Sequence, residues 1–84
     1  MKRIKINDYN PSMGVLIDVR DKIYFDKEHY SNSVNIPYEK LLMNHSYFLD
    51  KNKKYYITCT KGHKSQKAVN ILEFYGYDVT QVIT

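Results

Sequence analysis

Residues 54–84, KYYITCTKGHKSQKAVNILEFYGYDVTQVIT, constrain the fold more than any other stretch of this chain. The run KYYITC at 54–59 is apolar and rich in residues that favour strands. A polar, basic segment containing Gly62 follows, and then SQKAVNILEFYG, in which Ala68, Val69, Leu72 and Tyr75 recur at helical spacing with Ile71 beside them. Ser65 is a candidate N-cap and Gly76 suits the position just past the helix end. YDVTQVIT then returns as a strand. Strand, turn, helix and strand make a βαβ unit, whose crossover places its two strands parallel.

The remainder of the chain reads the same way. RIKI at 3–6 alternates and predicts a short edge strand, and VLIDV at 15–19, bounded by Gly14, suits a strand covered on both faces. KIYFDKEHY at 22–30 predicts a short helix. VNIP at 34–37 is a brief strand stopped by Pro37, and YEKLLM at 38–43 gives one or two helical turns. With 84 residues, no repeat and no linker, residues 1–84 are expected to form a single minimal α/β domain, a small and mainly parallel sheet flanked by helices. A chain this short buries only roughly 60% of its unfolded surface, so its core is modest.

Several function classes drop out. The net charge is +4, but the densest basic cluster, KNKK at 51–54, lies where a turn must precede a strand, and no RNA-binding aromatic motif or finger spacing accompanies it. No nucleic-acid partner is expected. No apolar run reaches the ~18 residues of a membrane helix, and MKRIKINDYN lacks the apolar core of a signal peptide, so a cytoplasmic protein with no membrane partner is expected. One cysteine excludes an internal disulfide and a multi-cysteine metal site. Cys59 and His63 are four apart on a loop without further ligands, so neither a metal nor another cofactor is expected. GHKS is not a nucleotide-binding Gly-Lys-Ser, because a His intervenes.

The cysteine itself stands where the strand stops and the helix is about to begin. Ligand sites of parallel sheets lie beyond the carboxyl ends of the strands. There, residues 60–65 can aim several backbone N–H groups into one concavity, and the helix N-terminus adds positive potential. Lys61, His63 and Lys64 add cations, and all of these favour the nucleophilic thiolate. The competing reading is an idle cysteine in a turn. Cys59 is expected to face solvent.

Taken in order, the motifs resemble the rhodanese (sulfurtransferase) family over residues 16 to about 82. The apolar strand ending in Asp18, Val19 and Arg20 matches the family's leading signature, and Phe25 matches an aromatic in the helix that follows. HYSNSVNIP, His29 to Pro37, stands where the family has His-Ile-Pro-Gly-Ala-x-Asn-Ile-Pro. The active loop Cys-x-x-Gly-x-Arg-Ser appears as Cys59, Thr60, Lys61, Gly62, His63, Lys64 and Ser65. Leu72, Gly76, Tyr77 and Val79 complete the pattern. The resemblance implies a rhodanese-like fold and a persulfide mechanism, in which Cys59 takes a sulfur from thiosulfate or a persulfide donor and passes it to cyanide, a thiol or a sulfur-accepting protein. Thr60 to Ser65 would form the active loop and bind substrate. Asp18 would play a supporting role by accepting hydrogen bonds from that loop, with a general base as its alternative role. Arg20 is expected to pair with Asp26 or Glu28, and His29 to cap or pack.

Lys64 departs from the family's Arg: it keeps the charge and loses the planar fork. SNS replaces Pro-Gly-Ala, with Asn32 able to adopt left-handed geometry. Two other classes stay open. One is a non-catalytic binding or sensing module on the same fold. The other is a cysteine phosphatase or arsenate reductase, whose signature is a cysteine, five residues and an arginine; here that position is Ser65.

Overall fold

The computed structural model describes all 84 residues. Five strands form one sheet: β1 (Lys2–Lys5), β2 (Val15–Asp18), β3 (Ser33–Asn35), β4 (Lys54–Thr58) and β5 (Asp78–Ile83). Their spatial order is β1-β5-β4-β2-β3, and every pairing is parallel. The expectation of a mainly parallel sheet is met in full, because each strand is reached by a crossover rather than a hairpin. Four helices lie in the connections after β2: α1 (Lys22–Lys27), α2 (Tyr38–Met43), α3 (His45–Phe48) and α4 (His63–Phe74). No helix is long and apolar enough to cross a membrane.

The central strand β4 alternates between two apolar layers, as strand geometry requires. On one face Tyr55 and Ile57 join Ile17, Val79, Ala68, Val69, Leu72 and Leu41 in the main core. On the other, Tyr56 packs with Leu16 and Val82 beneath Ile4, Ile6, Tyr9 and Met13. That second layer is covered by two short 3-10 turns, Ile6–Asp8 and Pro11–Met13. Tyr9 donates to the Gly14 carbonyl at 2.7 Å, and burial, with the neighbouring Tyr56, pushes its phenol above the usual range. Gly14 is required by close approach: a Cβ there would lie 2.5 Å from the Lys54 carbonyl oxygen, which belongs to the sheet and cannot yield.

Helix α4 differs from its expected form at one end and agrees at the other. It begins at His63, with Gly62 rather than Ser65 as N-cap. Ser65 lies inside the first turn, fully buried, on one stripe with Ala68, Val69 and Leu72. Ile71 and Tyr75, expected on that stripe, are 38% and 47% exposed; the next core aromatic is Tyr77. At the C-terminus Gly76 has φ +95°, and the N–H groups of Gly76 and Tyr77 reach back to Glu73 and Leu72. This is a Schellman closure, and Tyr77 packs in the same core as Leu72. Helix α1 stops at Lys27, three residues short of the expected end, because residues 28–32 must turn into β3; Asn32 makes that turn at φ +67°.

Candidate active site

Cys59 is the first residue beyond β4, at the carboxyl end of the central strand. It is 7% exposed and belongs to the main core, so the expectation of a solvent-facing thiol is corrected. The loop folds back over it. The Ser65 N–H donates to Cys59 Sγ at 3.2 Å, and Cys59 Sγ lies 3.3 Å from Ser65 Oγ. Sequence distance explains the reach: Gly62, at φ +81°, lets the chain reverse over six residues and enter α4 directly. The N–H groups of Thr60, Lys61, Gly62, His63 and Lys64 have no acceptor within the protein. A helix N-terminus with unspent donors is a place where an anion is favoured.

The loop is held from β5 by a residue the sequence reading did not select. Gln81, 6% exposed, donates through Nε2 to the Gly62 carbonyl at 3.0 Å and to Ser65 Oγ at 3.2 Å. Its signal was a lone amide inside the apolar run DVTQVI. Gln81→Leu removes both bonds while keeping the volume. We expect it to cost about 1 kcal/mol. Gln81→Glu, which sets a carboxylate against a carbonyl, is expected to cost more, about 2 kcal/mol. Urea unfolding of both variants checks the order.

Asp18 and Arg20 form the floor. Asp18 is 2% exposed at the end of β2, and its carboxylate accepts from the Arg20 N–H at 2.9 Å, from Nε at 3.0 and 3.1 Å, and from Nη2 at 2.8 Å. The expected bonds from the active loop to Asp18 are absent; the arginine two residues on saturates the carboxylate instead. Arg20 therefore pairs with neither expected side chain. Asp26 bonds Lys22, and Glu28 meets Arg20 only through its main-chain carbonyl, at 2.7 Å. The hydrogen bond to Asp18 raises the guanidinium above its ordinary value; burial opposes this, and the nearby negative charges of Asp18 and Glu28 reinforce it. The side chain of Asn35 staples the turn by donating to the carbonyls of Asp18 and Arg20.

Two depressions meet at Cys59. One, of about 250 Å³, is walled by Asp18, Arg20, Glu28, His29, Tyr30 and the rim of β4 and β5. The other, of about 330 Å³, is walled by Arg20, Asp21, Tyr24, Lys61, His63 and Lys64. Cys59, Thr60 and Arg20 belong to both. The second holds three fixed cations, Arg20, Lys61 and Lys64, against one carboxylate, Asp21; the first holds Arg20 against Asp18 and Glu28. Cys59 thus lines both a basic hollow and a more acidic one.

A parallel sheet with a cysteine cradled between the central strand and a helix N-terminus defines a class of cysteine-loop α/β domains. Within that class, the family model for the rhodanese-like domain matches residues 2–84, and the chain belongs to that family. Among curated proteins it is 31% identical over 75 residues to the adenylyltransferase and sulfurtransferase UBA4 of Candida glabrata, and 36% identical over 63 residues to that of Ogataea parapolymorpha. These matches cover 79% and 75% of this chain but only 17% and 16% of those longer proteins. Among solved structures, a rhodanese-related protein from Thermoplasma volcanium superposes with a TM-score of 0.88 at 28% identity, covering 98% of this chain and 83% of that one.

Proposed function

We propose that this domain is a sulfurtransferase that carries a sulfane sulfur on Cys59. The observation that carries the reading is the Ser65 N–H directed at Cys59 Sγ inside a loop whose other N–H groups are unspent. The Cys59 thiolate attacks the outer sulfur of a donor such as thiosulfate, and the donor's S–S bond breaks with its electron pair leaving on sulfite. The sulfur stays as a Cys59 persulfide, surrounded by the loop N–H groups. Cyanide or a thiol, either free or on a protein, then takes the outer sulfur and restores the thiolate. The sulfurtransferase names of the yeast relatives support the same reaction class. A six-residue cradle ending at Lys64 suits one sulfur atom, whereas a phosphate needs a larger ring and an arginine fork. A free thiol suits the reducing cytoplasm.

Thiocyanate formation from thiosulfate and cyanide tests the reading; no turnover with any sulfane donor counts against it. Lys64 lines the basic hollow, so Lys64→Ala is expected to raise the KM for thiosulfate about fivefold to tenfold, the scale of one charge-assisted contact. Lys64→Arg is expected to lower it. Unchanged donor kinetics in both variants leave the anion to the backbone N–H groups alone.

A further inference from the structure

We infer that His29 takes the proton from an alkyl thiol acceptor that enters the acidic hollow, so that donor and acceptor use different hollows at Cys59. The inference rests on the proposed sulfur transfer and assigns its second half. His29 Nδ1 lies 2.7 Å from the Phe25 carbonyl oxygen. A carbonyl only accepts, so Nδ1 carries a proton, and Nε2 is the nitrogen available to take one. One ring face is stacked on Phe25, with centroids 3.8 Å apart and planes 10° from parallel. The segment is pinned on both sides: Glu28 gives its carbonyl to Arg20, and Tyr30 gives its carbonyl to the Ser33 N–H and hydroxyl. His29 is therefore an imidazole fixed in orientation, and it lines the same hollow as Cys59. The other ionisable groups around that hollow are Asp18, Arg20, Glu28 and Tyr30. Asp18 is consumed by Arg20, which leaves the His29 imidazole and the Glu28 carboxylate as the side-chain bases of the hollow, and of the two the imidazole is the one held in place by a hydrogen bond and a stack.

The step balances without an added oxidant or reductant. The acceptor RSH gives its proton to His29 Nε2. The resulting RS⁻ forms a bond to the outer sulfur of Cys59–S–SH, the Sγ–S bond breaks, and its electron pair stays on Cys59 as thiolate. The products are RSSH, the Cys59 thiolate and protonated His29, which loses its proton to water.

An acceptor that is already ionised needs no base. Cys59 is first loaded with thiosulfate or an inorganic polysulfide, excess donor is removed, and discharge is followed in a single turnover at pH 7. The acceptor is either dithiothreitol, an alkyl dithiol mostly protonated at that pH, or thionitrobenzoate, an ionised aryl thiol. Wild type is compared with His29→Gln and with His29→Phe, which keeps the stack on Phe25. Both variants are expected to discharge to dithiothreitol about tenfold more slowly. The ceiling is set by the thiolate fraction, because an alkyl thiol is at most a few per cent thiolate at neutral pH without help. Discharge to thionitrobenzoate and the loading rate are expected to stay unchanged. Equal slowing with both acceptors, or no slowing with dithiothreitol, overturns the inference while the sulfurtransferase reading stands. If wild type loads from neither donor, that reading fails first and the inference falls with it.

Discussion

Replacing Cys59 with serine is expected to reduce sulfur transfer to the uncatalysed background, a loss on the order of 10³-fold or more, while the domain stays folded. The loss follows from covalent chemistry: an alcohol is a far weaker nucleophile than a thiolate, and no second thiol exists in the chain to replace it. Stability is a separate question, because Cys59 is buried in the main core. Its neighbour decides the matter. The Ser65 N–H already points at Sγ at 3.2 Å, so a serine hydroxyl finds a donor waiting and is not left unsatisfied. The cost is expected to stay within about 1 kcal/mol. Cys59→Ala is the sharper stability probe, since it leaves that N–H without an acceptor. Thiocyanate assays and thermal unfolding of both variants separate the two effects. Retained turnover in Cys59→Ser contradicts the persulfide route.

The second large effect is expected at Asp18. Its buried carboxylate is satisfied entirely by Arg20, through the main-chain N–H and the guanidinium. Asp18→Ala leaves a guanidinium, only 22% exposed, with the Glu28 carbonyl as its single partner. Breaking one side of a buried pair costs about 3 kcal/mol. For a domain of this size that corresponds to a fall in Tm of at least about 12 °C. Arg20 walls both hollows, so the variant is also expected to lose affinity for donor and acceptor together. Asp18→Asn keeps one acceptor oxygen and is expected to fall between. Urea unfolding checks the series, and a loss below about 1 kcal/mol for Asp18→Ala would mean the pair is ornamental to the fold.

What was legible in the sequence was whatever local periodicity or a special backbone angle dictates. The stripe of Ala68, Val69 and Leu72, the helix stop at Gly76 and the left-handed turn at Asn32 each follow from one short window of residues. The location of Cys59 at the carboxyl end of a central strand was legible for the same reason. The start of α4 was misplaced because it is set by a tertiary bond. Ser65 spends its N–H on Cys59 Sγ and its side chain faces Gly62 and Gln81, so it cannot serve as the cap its residue type suggests. Gln81 was invisible for a related cause, since its two partners lie 19 and 16 residues away across the βαβ unit. The Asp18–Arg20 pair was missed because Asp26 on α1 and Glu28 just after it looked better placed; the turn after β2 curls the arginine back instead. His29 gained its place in the hollow from the turn between α1 and β3, which no helical or strand period encodes.

The central claim is that Cys59 holds a transferable sulfur, and intact-mass spectrometry tests it most directly. The domain is incubated with thiosulfate, freed of excess donor, and weighed under non-reducing conditions. The account predicts a gain of one sulfur atom, confined to Cys59 on peptide mapping, absent from Cys59→Ser, and removed by cyanide with release of thiocyanate. An unchanged mass after thiosulfate and after an inorganic polysulfide, with Cys59 still free to alkylate, would contradict it.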